Sequence, residues 1–471
     1  MDVNLFPYLP QYASSGNEVR HLIHSSTLLF VTNTSRIDSH LFPLIDKNIC
    51  IARRDNNNDH FLERKEGNQL LTAMKRDGKI VSLLHPLSSD KIKELRQPKQ
   101  FFCPHCRNPV IFKAGHYRIP HFAHYRYSNC RGFTEPESFY HLQGKRELFL
   151  WLRSMNQQVF LEHYFSKIKQ RADLFVTGHN QAYAIEFQCA SIPVSDIEKR
   201  TARYKQANIT PIWILGGLPY RKKLARKQHV YTLTEMQWAL TTYQSRRGLQ
   251  LFSYQPCKKQ FFLLSHITPM TSRKIIATCQ RFPLQNISFP FTFDTLTARS
   301  SKKDFIEEWT YERKDWLFQR VYYNKNRQDP FLKILYECRL PVTLIPPLFG
   351  VPIPAADVRN HPVEWQFYIW YDCFRKLNVG GWITFQQIRK AVLHRINKQH
   401  IQYRKIVTAD RSFDFLMKYL RTLVKTGYLR KSDPSTYVMN KPLSFPNTME
   451  EAKKQEQIFY KQFRYLFFML E

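Results

Sequence analysis

Hydrophobic and polar positions change their spacing several times along the chain, and each change predicts a new element. Two apolar runs around Asp77-Gly78 predict a β-hairpin over 70–84, because Asp-Gly favours a tight turn. A short helix over 88–98 follows, ended by a proline. The next predicted elements are a helix over 137–153, a hairpin over 159–188, a helix over 196–207 and a strand over 211–217. This order, α-β-β-α-β, indicates a compact α/β unit.

The C-terminal part of the chain shows a different pattern, in which helical spacing dominates. Amphipathic helices are predicted over 363–377, 383–396 and 412–429, and a hairpin follows the third. Three helices and a hairpin match a winged-helix layout. A helical bundle that packs on the α/β unit explains the same pattern, and both interpretations stay open.

These patterns divide the chain into five segments. They are an N-terminal extension (1–69), a hairpin and zinc-knuckle region (70–132), the α/β unit (133–220), a mixed region without clear assignment (221–360) and a helical region (361–471). The first segment has little sustained periodicity. Lys65-Glu66-Gly67 could be encoded by a purine-rich ribosome-binding sequence and Leu70 by a TTG start codon, so we hypothesise that the native chain begins near Leu70. An ordinary N-terminal extension is the alternative.

The charge balance favours a polyanionic partner, since 71 Lys and Arg residues face 38 Asp and Glu residues, a net charge of +33. The sequence has no apolar run long enough for a membrane span and no secretory signal pattern. Nine scattered cysteines do not suggest a disulfide framework. These features predict a cytoplasmic protein. The scarcity of glycine, and the lack of a glycine-rich phosphate loop, predict no nucleotide cofactor.

A cluster of cysteines and histidines indicates a metal site. The pairs Cys103/Cys106 and His121/His124 each have the two-residue spacing of half a zinc site. Thiolates together with imidazoles select Zn²⁺, and Cys130 is an alternative fourth ligand. Four protein ligands leave no open position, so we expect a structural zinc. A reduced Cys pair beside buried core histidines is the competing interpretation.

Two acids in the predicted second hairpin suggest a different kind of metal site. Asp173 opens the first strand and can lie beside Glu186 on the second, while Gln188 shares the face of Glu186 because strand residues alternate sides. Adjacent carboxylates repel unless a positive group lies between them. Mg²⁺ prefers such oxygen ligands. The alternative is that both acids are solvated residues at the edge of a hairpin.

The neighbouring helices carry residues that could complete this site. Glu137, His141 and Lys145 are spaced by four and therefore share one helix face. Glu137 could instead cap its helix in a capping box with Thr134. Arg200 and Tyr204 share a face of the later helix, where they could reach a phosphate or form an ordinary solvated surface.

Several motifs in sequence order carry a resemblance to a known family. They are CPHC, GHYRIPHFAH, ESFYHLQGK, RADLF, AIEFQCASI, EKRTARY and PIWILGG. Together they resemble the competence protein CoiA family of transformable Gram-positive bacteria, within the wider PD-(D/E)xK nuclease superfamily. The resemblance is strong over 70–220 and loose in the C-terminal half. It implies a restriction-endonuclease-like α/β core and a cytoplasmic protein that promotes recombination of imported single-stranded DNA.

The resemblance also implies roles for individual residues. Asp173 and Glu186 would bind catalytic Mg²⁺, and Glu137 would support them. Gln188 stands where the superfamily has Lys, so that role could have passed to Lys145 or Arg171. The residues expected to contact DNA, single-stranded or branched, are His141, Lys145, Arg171, Arg200 and Tyr204. A zinc-stapled DNA-binding mediator that recruits recombination proteins without cutting DNA is the alternative function.

Overall fold

The computed structural model describes residues 69–463 with short gaps. The gaps are 85–86, 98–99, 116–117, 126–129, 131–137, 179–180, 222–228, 245–247, 292–301, 324–327 and 405–412. The predicted N-terminal extension up to residue 68 and Glu137 therefore lie outside the described residues, and the start near Leu70 stays a hypothesis. Among the residues that are described, no helix is both long and apolar enough to cross a membrane.

The first part of the fold is a small antiparallel sheet. Its elements are β1 (Gln69–Leu70), β2 (Thr72–Lys75), β3 (Ile80–Ser82), α1 (Ser89–Leu95), β4 (Phe101–Phe102), β5 (Pro109–Gly115) and β6 (Arg118–His124), with strand order β1-β6-β5-β4-β2-β3. The predicted Asp-Gly hairpin is confirmed, since Met74 pairs with Ile80 and Gly78 has a φ of 83°. Helix α1 begins after Ser88, whose side chain accepts a hydrogen bond from the Lys91 backbone N–H.

The second part contains the predicted α-β-β-α-β order, with extra strands before the hairpin. Its elements are α2 (Phe139–Ser154), β7 (Gln158–Leu161), β8 (Tyr164–Phe165), β9 (Gln170–Arg171), β10 (Leu174–Thr177), β11 (Ala182–Gln188), α3 (Val194–Gln206) and β12 (Ile209–Gly216). Strands β10 and β11 are antiparallel, while β11 and β12 run parallel across helix α3. The predicted helices and strands are therefore confirmed to within a few residues.

The sheet does not stop where the α/β unit was predicted to end. It continues through β13 (Val230–Thr232), α4 (Glu235–Ala239), β14 (Thr242–Gln244), β15 (Gly248–Gln255), β16 (Gln260–Pro269) and β17 (Lys274–Pro283). Strand β12 pairs in parallel with β15, giving the order β13-β17-β16-β15-β12-β11-β10-β7, with β14 beside β15. The boundary predicted at residue 220 thus divides one hydrogen-bonded sheet. The predicted pattern ended there because the next strands are separated by a long connection.

Helix α2 lies unusually close to the sheet at Gly144. A Cβ atom at this position would come within 2.0 Å of the Phe187 ring, so only glycine allows this packing. Apolar residues on the following turns of α2, among them Leu148 and Leu152, are buried in the same core as Phe187 and Ile214. This close approach sets the first turns of α2 above the start of β10, where Asp173 lies.

The third part of the fold is mainly helical. Its elements are α5 (Lys302–Tyr322), α6 (Pro330–Glu337), α7 (Pro362–Ile369), β18 (Trp382–Thr384), α8 (Phe385–Asn397), α9 (Asp414–Lys425), β19 (Leu429–Lys431), β20 (Thr436–Met439) and α10 (Met449–Phe463). The three predicted helices and the hairpin are confirmed. The short strand β18 was not predicted, and it joins the hairpin in a sheet of order β18-β20-β19.

Candidate functional site

Strand register brings the two predicted acids together. Leu174 on β10 pairs with Ile185 on β11, so the next residues on the two strands, Asp173 and Glu186, lie opposite each other. Asp173 Oδ2 also accepts a hydrogen bond of 2.9 Å from the backbone N–H of Phe187. The acids therefore lie side by side where β10 begins, as the alternation of strand residues predicts.

Asp173 is held by groups from helix α2. The His141 Nε2 atom lies 3.3 Å from Asp173 Oδ2, and both side chains are largely buried. Burial alone would raise the pKa of Asp173, but the nearby charges of His141, Lys145 and Arg200 hold that pKa well below its usual range. The His141 side chain and the Phe187 backbone N–H thus both reach Oδ2.

Glu186 is buried under helix α3 and binds two of its residues. Only 1% of Glu186 is exposed. The Arg200 Nη2 atom donates to Oε2 at 2.6 Å, and the Tyr204 hydroxyl donates to Oε1 at 2.5 Å. Burial raises the pKa of Glu186 to about 7, although Arg200 opposes this shift, and the neighbouring charge of Asp173 adds to it. The Glu186 carboxylate is thus neutralised by a guanidinium from its own chain.

The remaining predicted residues at this edge have other partners. The Gln188 side chain donates to the Ala190 carbonyl at 2.7 Å rather than turning towards the acids. Arg171 is half-buried, and its backbone carbonyl accepts a long hydrogen bond from Arg200. Helix α2 begins with Ser138 as its cap, and α3 begins at Val194 without a side-chain cap.

Lys145 forms a buried ion pair with a residue that the sequence did not indicate. Its Nζ atom donates to Glu162 Oε1 at 2.6 Å, and the two side chains are 0% and 1% exposed. Glu162 also accepts hydrogen bonds from the backbone N–H groups of Leu71 and Thr72 and from the Thr72 hydroxyl at 2.6 Å. Glu162 lies in a turn with a φ of 53°, where no sequence pattern indicates an ion pair. The pair joins the first sheet to helix α2.

These contacts correct two of the predicted roles. Lys145 and Tyr204 were expected to touch DNA, yet both are fully buried and their polar atoms bind Glu162 and Glu186. Neither side chain can reach a phosphate without leaving its acidic partner, because a buried ion pair is costly to separate. His141 and Arg200 keep partial exposure, and each holds one of the paired acids.

The acid pair provides the donor type that a divalent cation needs. Two carboxylates on adjacent strands supply the oxygen ligands that suit Mg²⁺. Each carboxylate oxygen has two lone pairs, so Glu186 can accept a cation while it keeps Arg200 and Tyr204. The carboxylate oxygens of the two acids therefore suit Mg²⁺. The Arg200 guanidinium competes with the cation for the negative charge of Glu186.

A second cluster has the donors and the spacing of a zinc site. Ligand atoms of Cys103, Cys106, His124 and Cys130 all lie within 4.8 Å of one another. A tetrahedral zinc with bonds of about 2.3 Å to sulfur separates its ligands by about 3.8 Å, which this cluster accommodates. Among the residues that the structure describes, no other group of three or more His, Cys, Asp and Glu side chains converges in this way.

The local backbone explains how the two cysteines of the CPHC motif come together. The Cys103 N–H donates to the Asn108 carbonyl at 2.8 Å, and the Arg107 N–H donates back to the Cys103 carbonyl at 3.0 Å. Arg107 has a φ of 62°, which tightens the turn. Burial raises the pKa of the Cys103 thiol to about 12, and the neighbouring thiols of Cys130 and Cys106 add to the shift. A bound cation would reverse this effect by stabilising the thiolates.

The ligand set corrects the predicted pairing of histidines. Cys130, the alternative ligand, belongs to the cluster, and His121 does not. Both histidines lie on strand β6, and residues three apart on a strand face opposite sides of the sheet. His124 therefore faces Cys106, with 3.4 Å between Nε2 and Sγ, while His121 Nδ1 lies 2.9 Å from the Ile119 carbonyl.

Comparisons with known proteins match nearly the whole described chain. Three family models match, described as competence protein CoiA, N-terminal domain (84–133), nuclease-like domain (137–297) and C-terminal domain (305–453). The competence protein CoiA of Bacillus subtilis (strain 168) is 27% identical over 380 residues, which cover 80% of this chain and 99% of that relative. No solved structure matches the chain significantly. The chain therefore belongs to the competence protein CoiA family.

Proposed function

We propose that this chain acts in natural competence as a metal-dependent DNA nuclease that processes imported single-stranded or branched DNA for recombination in the cytoplasm. The role in competence is supported by the family and by the relative's name. The observation that carries the nuclease proposal is the register that places Asp173 beside Glu186 under two flanking helices. The net charge of +33 suits a nucleic-acid substrate.

The residues of the site have separate tasks in this proposal. Mg²⁺, when bound, would supply an activated water and neutralise charge on the phosphodiester. Asp173 and Glu186 would hold the cation, and Glu137 is proposed as a further acid. His141 orients Asp173 through its 3.3 Å contact, and Arg200 balances the buried charge of Glu186.

Two residues would have to change partner for catalysis. Gln188 can orient a water only after its side chain leaves the Ala190 carbonyl. Arg171 lies next to the acid pair along the chain and is the remaining candidate to replace the Lys of the superfamily, since Lys145 is committed to Glu162. Opening of this edge on DNA binding would release both side chains.

A second function is favoured by a specific observation, the pairing of the Glu186 carboxylate with Arg200 and Tyr204. Both of its oxygens bind groups of the protein, and no Lys stands at the position of Gln188. A site neutralised from within can stabilise the fold without binding a catalytic ion. The chain would then be a zinc-stapled mediator that grips DNA and recruits recombination proteins.

Cleavage assays on labelled single-stranded and branched DNA separate the two functions. With Mg²⁺, we expect the wild type to cut DNA and Asp173→Asn and Glu186→Gln to bind but not cut. Asp196→Asn is the matched control, because Asp196 is an exposed acid on α3 outside the pair. If the wild type binds both substrates and cuts neither, the mediator is correct.

A further inference from the structure

The C-terminal region contains the element order of a winged helix. Residues 362–441 run helix, strand, helix, helix and hairpin, and the three strands form an antiparallel sheet of order β18-β20-β19. The turn 432–435 between β19 and β20 stands in the position of the wing. We propose that this module binds duplex DNA through its wing and helix α8, rather than through the third helix, α9.

Helix α9 is the less favoured binding element because most of its residues are buried against the rest of the protein. In helix-turn-helix proteins the second helix of the motif enters the major groove with its exposed side chains. On α9 most residues are buried, including Phe415, Tyr419 and Leu423. The Lys418 ammonium lies 5.7 Å from the centre of the Tyr243 ring on β14, so α9 packs on the large sheet. Arg421 and Lys425 remain exposed on α9, but the side that carries Lys418 is covered.

A second contact fixes the module against the large sheet. Arg404 donates to both oxygens of Glu235, at 3.2 and 3.0 Å, and to the Ser272 carbonyl at 2.6 Å. Its guanidinium also stacks over the ring of Trp238. Because Arg404 is itself buried, these contacts form a packed interface between the module and the large sheet. They leave the opposite side of the module to solvent.

The outer face of the small sheet carries an exposed aromatic and basic pair. Trp382 and Arg430 both pair with Val438, so the three share one sheet face. Trp382 is 63% exposed. The other face carries Ile383 and Tyr437, which pack in the C-terminal core. Trp382 and Arg430 lie on the two outer strands, on either side of Val438, and offer one aromatic and one basic contact on this face.

Helix α8 and the wing form one continuous surface. The first residue of α8, Phe385, donates its N–H to the Ser435 carbonyl in the wing turn at 2.7 Å. From there α8 exposes Lys390, His394 and Lys398 along one side. Strand β19, which leads into the wing turn, adds the exposed residues Arg430 and Lys431, one on each face of the sheet. The acid in the wing, Asp433, folds back onto the turn and accepts hydrogen bonds from Ser435.

Charge complementarity identifies the occupant as a polyanion. Residues 362–441 contain 15 Lys and Arg residues but only 5 Asp and Glu residues. The described acids Glu364 and Asp372 bind Arg320 and Arg395. A helix or a two-stranded ribbon matches the width of the major groove of duplex DNA, which favours a duplex over a single strand. The surface would hold the duplex arm of a branched recombination substrate.

This inference rests on the proposed function only for the identity of the ligand as DNA, and it does not need the acid pair. Its test is therefore a binding measurement with chelator present, using fluorescence anisotropy of a labelled DNA duplex and the full chain. We expect Arg430→Ala/Lys431→Ala to weaken duplex binding about tenfold and to lower the slope of log affinity against log salt by about two. Trp382→Ala should weaken binding as well.

Matched controls keep the test specific. Lys453→Ala/Lys454→Ala removes the same charge from exposed positions on α10 and should leave duplex affinity unchanged. Because the chelator removes divalent ions, duplex binding by the wild type without cleavage separates this inference from the nuclease proposal. Equal losses in the α10 and wing variants would overturn the inference. Wild-type affinity in the wing variant would also overturn it, as would displacement of the DNA by a single strand or an RNA helix at much lower concentration.

Discussion

The cysteine cluster and the acid pair are two candidate metal sites whose negative charge is balanced in opposite ways. In the first, three thiols and one imidazole converge within 4.8 Å, and their chemistry requires a cation to make thiolates stable. In the second, Arg200 and His141 already lie against the carboxylates. A cation at the first site would stabilise the fold, while at the second it would have to compete with groups of the protein.

A metal in the cysteine cluster would therefore be structural, whereas a metal at the acid pair would bind only when it displaces groups of the protein. A zinc ion in the cysteine cluster would join the turn after β4 and the end of β6 to Cys130, so its loss would loosen the first sheet. The acid pair can remain folded without an ion, because its buried charge is balanced internally. Activity at the acid pair would then depend on DNA or Mg²⁺ displacing part of that balance.

The largest effect is expected from loss of a zinc ligand. Cys130→Ser should reduce bound zinc from about one per chain to a small fraction and unfold the first sheet, since structural zinc contributes about 10–16 kcal/mol in small domains. Zinc content by mass spectrometry and circular dichroism would measure both changes. His121→Ala is the matched test of the ligand set and should retain zinc. Zinc loss in that variant instead would restore the originally predicted pair of histidines.

Breaking the buried Lys145–Glu162 pair should have the next largest effect. Lys145→Met leaves Glu162 charged and buried, so we expect a loss of about 3–5 kcal/mol in the free energy of unfolding. Denaturant titration measures this loss. Lys145→Met/Glu162→Gln should recover part of it, because the uncompensated charge is then gone. Lys91→Met, in an exposed ion pair with Glu94, should change little; an equal loss there would show that burial is not the cause.

Removing Arg200 should reveal whether the acid pair accepts a divalent ion. Arg200→Ala leaves the Glu186 carboxylate buried with only Tyr204, so stability should fall by about 1–3 kcal/mol. Excess Mg²⁺ or Mn²⁺ should restore the thermal midpoint if the cation takes the place of the guanidinium. Arg203→Ala, on the exposed side of α3, is the control. If divalent ions leave the thermal midpoint of Arg200→Ala unchanged, the mediator function is favoured.

The smallest change is expected at Gln188. Gln188→Lys should alter stability by no more than about 0.5 kcal/mol, because the side chain is only half-buried at the end of β11. The new ammonium would lie near the acids and should raise the rate of Mg²⁺-dependent cleavage. Gln181→Lys, on the turn before β11, adds the same charge away from the site. Unchanged cleavage at Gln188→Lys would show that the missing lysine does not limit the reaction.

Local patterns predicted what depends on neighbours in sequence. The Asp-Gly turn, the register of Asp173 against Glu186 and the CPHC turn follow from spacing alone. The sequence left the choice between His121 and Cys130 open, because two-residue spacing suits both histidines, whereas strand geometry turns the two histidines to opposite faces.

Long-range partners could not be predicted in the same way. Glu162 meets Lys145 across 17 positions and the N–H groups of Leu71 and Thr72 across 91 and 90 positions, and no periodicity encodes such contacts. The burial of Tyr204 depends likewise on how α3 lies over β11. Only the packed structure shows that both predicted DNA contacts serve buried acids instead.

The Glu162 contacts have a consequence for how the protein can be divided. A fragment that begins at the matched nuclease-like segment, residue 137, would keep Glu162 and Lys145 but lose the strand that donates three hydrogen bonds to that carboxylate. The start of the matched nuclease-like segment therefore separates Glu162 from three of its hydrogen-bond donors. The first sheet covers the buried Glu162 carboxylate in the α/β part of the fold.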